Sequence, residues 1–282
     1  MTLTPVTPPE QVPARGGPAS GGGRAAPGRW LALTIGGGRL RGLDPDAGVV
    51  VTDVGPADAP VVVLVHGIGT SERYFRALTG ELARDHRVLV PDLPGFGRSA
   101  RPRRVPAVED LADVVLAVLR HRGLDRAVLV GHSMGAQVAA EAMLRAPDVV
   151  ERVLLIGTVV DRDAPGVLHQ GLRLAKDGLH EPLGVNAVVA SDYVRTGPVW
   201  YSAVLPHMFA YDTEAAVARL PGPALLVRGE HDPVSSRPWN RRLAALAPRG
   251  AVREVPRAGH VAMATHAPLV ARWVRDGVGE HQ

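Results

Sequence analysis

The chain predicts an α/β fold: an open, mostly parallel sheet of about eight strands with helices on both faces and an inserted helical cap. Three observations predict it. Short β-branched runs such as Val61-Val62-Val63-Leu64-Val65 are apolar at every position, as strands covered on both faces must be. Segments with apolar residues at helical spacing alternate with such runs from residue 60 to residue 160, and right-handed crossovers between parallel strands then put helices on both sides. The alternation stops between Asp161 and Leu220, a stretch too long for an ordinary connection.

Composition bounds the class. With 282 residues, 46% of them hydrophobic, the chain can bury one large core but not two full enzymes. It has no cysteine, which excludes disulfides, thiolate nucleophiles and cysteine-ligated metals and fits a cytoplasmic protein. The net charge of +4 raises the question of nucleic acid. Lys176 is the only lysine, acidic residues nearly balance the arginines, and no segment interleaves basic and aromatic residues, so no nucleic-acid partner is expected. No run approaches the roughly 18 uninterrupted apolar residues of a membrane span, and no apolar leader follows a basic start.

Taken in order, residues 1–28 alternate prolines with Gly16, Gly17 and Gly21-Gly22-Gly23 and read as a disordered arm. The first part of the core spans 29–160. Residues 30–35 and 49–54 read as an antiparallel edge, separated by Gly36-Gly37-Gly38 and Asp44-Pro45-Asp46-Ala47-Gly48. The strand at 61–65 ends in His66-Gly67-Ile68-Gly69. Tyr74, Phe75, Leu78 and Leu82 give 71–85 a helical face with Ser71 as its N-cap. A strand at 88–90 breaks at Pro91-Asp92-Leu93-Pro94-Gly95-Phe96-Gly97-Arg98-Ser99, and Leu111, Val114, Val115, Val118 and Leu119 mark one face of a helix over 108–119.

The next stretch organises the rest. Ala127-Val128-Leu129-Val130, then Gly131-His132-Ser133-Met134-Gly135, then Ala136-Gln137-Val138-Ala139 reads as strand, tight turn, helix. Gly-X-Ser-X-Gly between strand and helix is the pattern of a nucleophile elbow. A serine at such an apex is forced to positive φ, a strain on the order of 1–3 kcal/mol, and flanking glycines let strand and helix approach around it. Its hydroxyl then stands above the sheet beside the free N–H groups and positive dipole end of the new helix, which suits acyl transfer. A strand at 153–160 follows, then the cap at 161–220, and the core resumes at 221–282 with strands at 224–229 and 252–255. A closing helix at 268–274 is expected to pack Leu269, Val270 and Trp273 on the sheet.

With HGIG, PDLPGFGRS and GHSMG falling after successive strands, residues 30–276 resemble the α/β-hydrolase superfamily, in its serine-nucleophile, carboxylesterase-like branch. The resemblance implies an acid after a later strand and a histidine near the end. Glu230-His231-Asp232-Pro233-Val234 matches the acid loop at Asp232, and Arg257-Ala258-Gly259-His260 the histidine loop at His260. His260 would take the proton of Ser133 and return it to the leaving group, while Asp232 orients the ring. The N–H groups of Ile68 and Met134 are the implied oxyanion hole. Glu230 and Asp161 compete for the acid role. His66 resembles a structural histidine that braces its loop, Asp92 reads as a turn former, and His132 is expected to face away from the substrate.

The cap concentrates Tyr193, Trp200, Tyr201, Met208, Phe209 and Tyr211 in a chain poor in aromatics. Trp200, Tyr201, Met208 and Phe209 are candidate pocket residues for an apolar acyl or aromatic moiety, the alternative being that they form the cap's own core. Arg98, Arg101, Arg103 and Arg104 form a basic cluster, readable as favouring an anionic substrate or as a solvated loop. No cofactor or metal is implied: HExxH, EF-hand and P-loop patterns are absent, and Gly95-Phe96-Gly97 lacks the third glycine of a dinucleotide fingerprint. The expected partner is a small molecule. The expected function is a cofactor-free serine hydrolase of small or medium carboxylic esters acting through an acyl-enzyme. A carbon–carbon bond hydrolase of vinylogous diketones, an acyltransferase or a perhydrolase would share the site, and a ligand receptor or scaffold with the hydrolase fold is the non-enzyme alternative.

Overall fold

The computed structural model describes residues 29–33, 48–161 and 183–277, so the arm expected at 1–28 and the first third of the expected cap lie outside the described residues. The strands are β1 (Arg29–Leu33), β2 (Val49–Val54), β3 (Val61–Val65), β4 (Arg87–Pro91), β5 (Ala127–His132), β6 (Val150–Ile156), β7 (Ala224–Gly229) and β8 (Gly250–Val255). They form one sheet in the order β1-β2-β4-β3-β5-β6-β7-β8. β2 runs antiparallel to β1 and β4, and every other pairing is parallel.

The apolar runs explain the layers. Val63, Val65, Leu129, Val153, Leu155 and Leu226 point into one buried cluster, whereas Val62, Leu64, Val128, Val130, Leu154, Ile156, Leu225 and Val227 point into the other. Period-two alternation therefore delivers apolar side chains to both faces. On the first face lie α2 (Val108–His121), α3 (Met134–Arg145) and, after β7, a helix over Arg237–Leu246. The second face is covered by α1 (Arg76–Leu82) and the closing helix Ala267–Asp276.

Between β6 and β7 the described residues form α4 (Leu183–Thr196), α5 (Pro198–Ala210) and α6 (Thr213–Val217). The helix after β7 is then α7, the short helix Ala262–Thr265 is α8, and the closing helix is α9. No helix among the described residues is long and apolar enough to cross a membrane.

Two local expectations are corrected. The segment after Ser71 begins as a 3-10 turn, Glu72–Phe75, before α1. Ser71 Oγ and Asp92 Oδ1 claim the N–H groups of Arg73 and Glu72 at 3.4 and 2.9 Å, and these side-chain acceptors draw in the first turn. β6 stops at Ile156 instead of reaching residue 160, because Gly157 and Val160 take φ of +57° and +66°, which no strand accommodates. As expected, α9 packs Val270, Leu269 and Trp273 on the second face, Val270 buried with Ala267, Ala271 and Val274 and the other two half-buried.

Candidate active site

Ser133 sits where β5 turns into α3, with φ 56° and ψ −121°. That conformation is forced by closeness on both sides. A Cβ on Gly131 would overlap the Gly135 carbonyl oxygen, and one on Gly135 would overlap the Val65 carbonyl oxygen at the end of β3. Both glycines are thus required by backbone packing on backbone. The Ser133 N–H donates to Ile156 O at 2.9 Å, tying the apex to the end of β6. Met134 is the first residue of α3, so its N–H has no carbonyl of an earlier turn to bond.

The loop after β3 faces this apex. A Cβ on Gly67 would lie 3.0 Å from Ser133 Cβ and 3.5 Å from its Oγ. Every polar group of Gly67 is engaged. Its N–H donates to the Tyr74 hydroxyl at 2.7 Å, and its carbonyl accepts from His66 Nδ1 at 2.8 Å and Thr70 Oγ1 at 3.0 Å. On the far side of the His66 ring, Nε2 accepts the Leu93 N–H at 2.8 Å. A carbonyl only accepts, so His66 carries its proton on Nδ1, and with both nitrogens committed the ring braces the loop. Burial pushes its pKa down, which keeps it neutral.

Asp232 and His260 lie in the loops after β7 and β8. His260 Nδ1 lies 2.9 Å from Asp232 Oδ2, both residues being buried. Asp232 Oδ1 accepts the N–H groups of Val234 and Ser235 at 2.8 and 2.9 Å. Burial alone would raise the Asp232 pKa, but the adjacent His260 and these N–H donors outweigh it and hold the carboxyl below its usual range. The His260 ring rests on the turn after β6, since a Cβ on Gly157 would meet its Cε1 at 2.9 Å.

The other two acids are occupied elsewhere. Asp161 Oδ2 accepts from Ser236 Oγ at 2.7 Å, and Glu230 Oε2 accepts the Arg257 N–H at 2.8 Å. Asp92 accepts the N–H groups of Glu72 and Arg98, which closes its own turn. In the basic cluster Arg98 pairs with Glu72 and Asp92, Arg104 pairs with Asp110, and Arg101 donates to carbonyls at the end of α4.

Of the four candidate pocket residues, Trp200 and Met208 are buried in the same apolar cluster as Ile68, Phe96 and Met134. Tyr201 and Phe209 pack against that cluster half-buried. Tyr193 and Tyr201 meet edge to face at 5.5 Å over Gly69, where a Cβ would strike both rings. Tyr211 is buried in the same cluster and donates its hydroxyl to Glu141 on α3 at 2.9 Å. Two residues beside the site escape sequence reasoning. Tyr74 reads only as one of a helix's apolar face, and His132, expected to face away from a substrate, turns its ring to His260 with centroids 4.6 Å apart. No local signal links Tyr74 to His132, since they stand 58 residues apart. Among the described residues no group of three or more His, Cys, Asp or Glu side chains could hold a metal ion.

A serine at a positive-φ strand-to-helix apex, with a histidine–carboxylate pair from the loops after the last two strands of a mostly parallel sheet, marks an enzyme of the α/β-hydrolase fold. The chain belongs to the alpha/beta hydrolase family, whose model matches residues 62–273. It is 38% identical over 112 residues to the magnesium-chelatase 30 kDa subunit of Rhodobacter capsulatus, covering 39% of each chain, so it matches well under half of that relative's length. It is 26% identical over 243 residues to the uncharacterized hydrolase YugF of Bacillus subtilis, covering 76% of this chain and 88% of that one. Among solved structures, a thermophilic esterase from Thermogutta terrifontis superposes with a TM-score of 0.75 at 22% identity over 88% of this chain and 97% of its own, a likeness of fold.

Proposed function

We propose that this hydrolase cleaves small or medium carboxylic esters through an acyl-enzyme on Ser133. The 2.9 Å contact between His260 Nδ1 and Asp232 Oδ2, with the His260 carbonyl oxygen 2.9 Å from Nε2 of His132, the residue that precedes the strained Ser133, carries the reading. With Nδ1–H given to Asp232, Nε2 is the nitrogen that takes the Ser133 proton as Oγ attacks the ester carbonyl, and that returns it to the leaving alcohol. Asp232, kept ionised by its surroundings, stabilises the imidazolium that forms in between. The Ile68 and Met134 N–H groups receive the developing oxyanion, each contributing about 3 kcal/mol at the transition state. Water, activated by the same imidazole, then releases the acid. Trp200, Met208, Tyr201 and Phe209, gathered with Ile68 and Phe96, support an apolar acyl or aromatic group on the substrate. The chemistry needs no cofactor, and α4 to α6 serve as the cap over the site.

A fluorophosphonate probe tests the nucleophile. Labelling is expected at Ser133 and is lost in Ser133→Ala, and short p-nitrophenyl esters give an acyl burst. His260→Ala is expected to lower turnover about 10³-fold or more. A folded wild type that resists the probe would favour a ligand receptor, and a large preference for dienoic diketones over esters would move the reaction to carbon–carbon bond hydrolysis.

A further inference from the structure

A hydroxyl and an imidazole bridge the two loops that the proposed chemistry depends on, and neither belongs to the machinery assigned above. Tyr74 is buried in the 3-10 turn ahead of α1. Its hydroxyl accepts the Gly67 N–H at 2.7 Å and stands 2.9 Å from Nδ1 of His132. Across the same ring, Nε2 of His132 lies 2.9 Å from the carbonyl oxygen of His260. His132 is itself buried and immediately precedes Ser133.

The proton positions follow from which atoms can donate. The His260 carbonyl can only accept, so Nε2 of His132 carries the hydrogen. Burial, reinforced by the neighbouring His260, pushes the His132 pKa down to about 3, so the ring is neutral and its Nδ1 offers a lone pair. Tyr74 must then donate its O–H to that nitrogen, and the Gly67 N–H points at the hydroxyl's own lone pair. The nearby Thr70 hydroxyl gives its proton to Gly67 O. Donation therefore runs one way, from Gly67 N–H through the Tyr74 hydroxyl to His132, and from His132 to the His260 carbonyl. Bonds aligned in one direction polarise and strengthen each other.

We propose that Tyr74 and His132 are positioning residues that hold the loop carrying Ile68 and the loop carrying His260 in fixed relation across Ser133. The proposal rests on the roles assigned above to Ser133, Ile68 and His260. Ile68 directly follows the tethered Gly67, and the tethered carbonyl belongs to His260 itself, so slack in the bridge reaches both the oxyanion donor and the base. The edge-to-face contact of the Tyr74 and His132 rings, with centroids 5.3 Å apart, is packing that a phenylalanine would keep. The hydroxyl is what distinguishes a bridge from a filler.

Tyr74→Phe removes only that oxygen. It is expected to lower kcat on p-nitrophenyl acetate about 10-fold, the scale of a small misplacement of reacting groups, with KM within about twofold. In His132→Gln the amide N–H can still serve the His260 carbonyl while the acceptor for Tyr74 is lost, so it should show a similar loss. The double variant should be no slower than the slower single one, because both break one bridge. A Tyr74→Phe enzyme within twofold of wild type, or losses that multiply in the double variant, would overturn the proposal. A second readout needs neither turnover nor a variant: nitrogen-15 spectra of the wild-type histidine side chains should show His132 neutral with its proton on Nε2 from pH 5 to 9. A proton on Nδ1, or a charged ring at pH 6, would overturn it as well. If wild type neither labels nor turns over esters, it is the reading of Ser133 that has failed, and the bridge is then decided by the tautomer alone.

Discussion

The elbow and the helical insertion between β6 and β7 are held by opposite means. At the elbow, backbone rests on backbone: Gly131 on Gly135, and Gly135 on the end of β3, with no space for a methyl group. The insertion is held by side chains. Buried Asp192 on α4 accepts from Ser71 Oγ at 2.6 Å and Arg73 Nη1 at 3.0 Å, Thr196 Oγ1 donates to Gly69 O at 3.2 Å, and Trp200 covers Gly95. Backbone contacts fix positions to fractions of an ångström and tolerate no change. Side-chain contacts can be exchanged singly, which suits the part of the molecule that would set substrate choice.

Gly135→Ala tests this contrast most severely. The added methyl would overlap the Val65 carbonyl and crowd that of His66, so either β3 or α3 must move. Overpacking against a backbone that cannot rotate away is expected to cost about 3 kcal/mol, read as a lower urea midpoint, with Ser133 labelling lost even where the variant remains folded. Normal labelling in a stable Gly135→Ala protein would mean that the elbow is more plastic than its contacts imply.

Acid titration probes the same rigid side. His132 is held neutral with its pKa lowered to about 3, whereas an unfolded chain protonates the ring near 6.5. Above that value neither state binds the proton and the contribution of the ring is fully present; below it the unfolded state gains a proton that the folded state refuses, so stability falls as the pH drops toward 3. Asp232, whose pKa is depressed, adds a loss of the same sign at the acid end. The slope due to one such ring is about 1.4 kcal/mol per pH unit. His132→Gln should flatten the fall of the urea midpoint between about pH 6 and pH 4, and an unchanged slope would show that the ring titrates in the fold.

What the residues reveal in advance follows the same division. The sheet is legible because β3, β5, β6 and β7 each present apolar residues to two faces, and Ser133 because a strained apex needs glycines at fixed offsets. The end of β6 is not, since Val159 and Val160 would suit a strand and nothing in their side chains announces the φ of +66° at Val160 that turns the chain away. The contacts between the insertion and the core are not legible either, because Asp192 meets Ser71 across 121 residues, a distance over which no periodicity carries information. Tyr74 and His132, 58 residues apart, are hidden for the same reason.

On the insertion side the larger effect is expected at Asp192. Asp192→Ala leaves Ser71 Oγ without its acceptor and Arg73 without its ion pair, a loss of about 1–3 kcal/mol for a buried charged acceptor. The loss should be local. Proteolysis within residues 183–217 should quicken, while the rate of Ser133 labelling in the intact protein stays within about twofold. Equal loosening of elbow and insertion would show that the two are one cooperative unit, held by the same means after all.

The smallest effect is expected at Arg101. Its guanidinium donates to the Thr196 and Arg195 carbonyls at the C-terminal end of α4 and lies 5.8 Å from the Trp200 ring centroid. A cation at a helix C-terminus contributes about 0.3–1 kcal/mol, and Arg101 is exposed, so salt screens it. Arg101→Met keeps an unbranched side chain but removes the charge. The variant should lose a few tenths of a kcal/mol in low salt and nothing measurable at about 1 M, where the screening length falls to about 3 Å. A deficit that persists in high salt would mean that Arg101 holds α4 by shape and hydrogen-bond geometry, which would place this corner of the insertion with the rigid elbow.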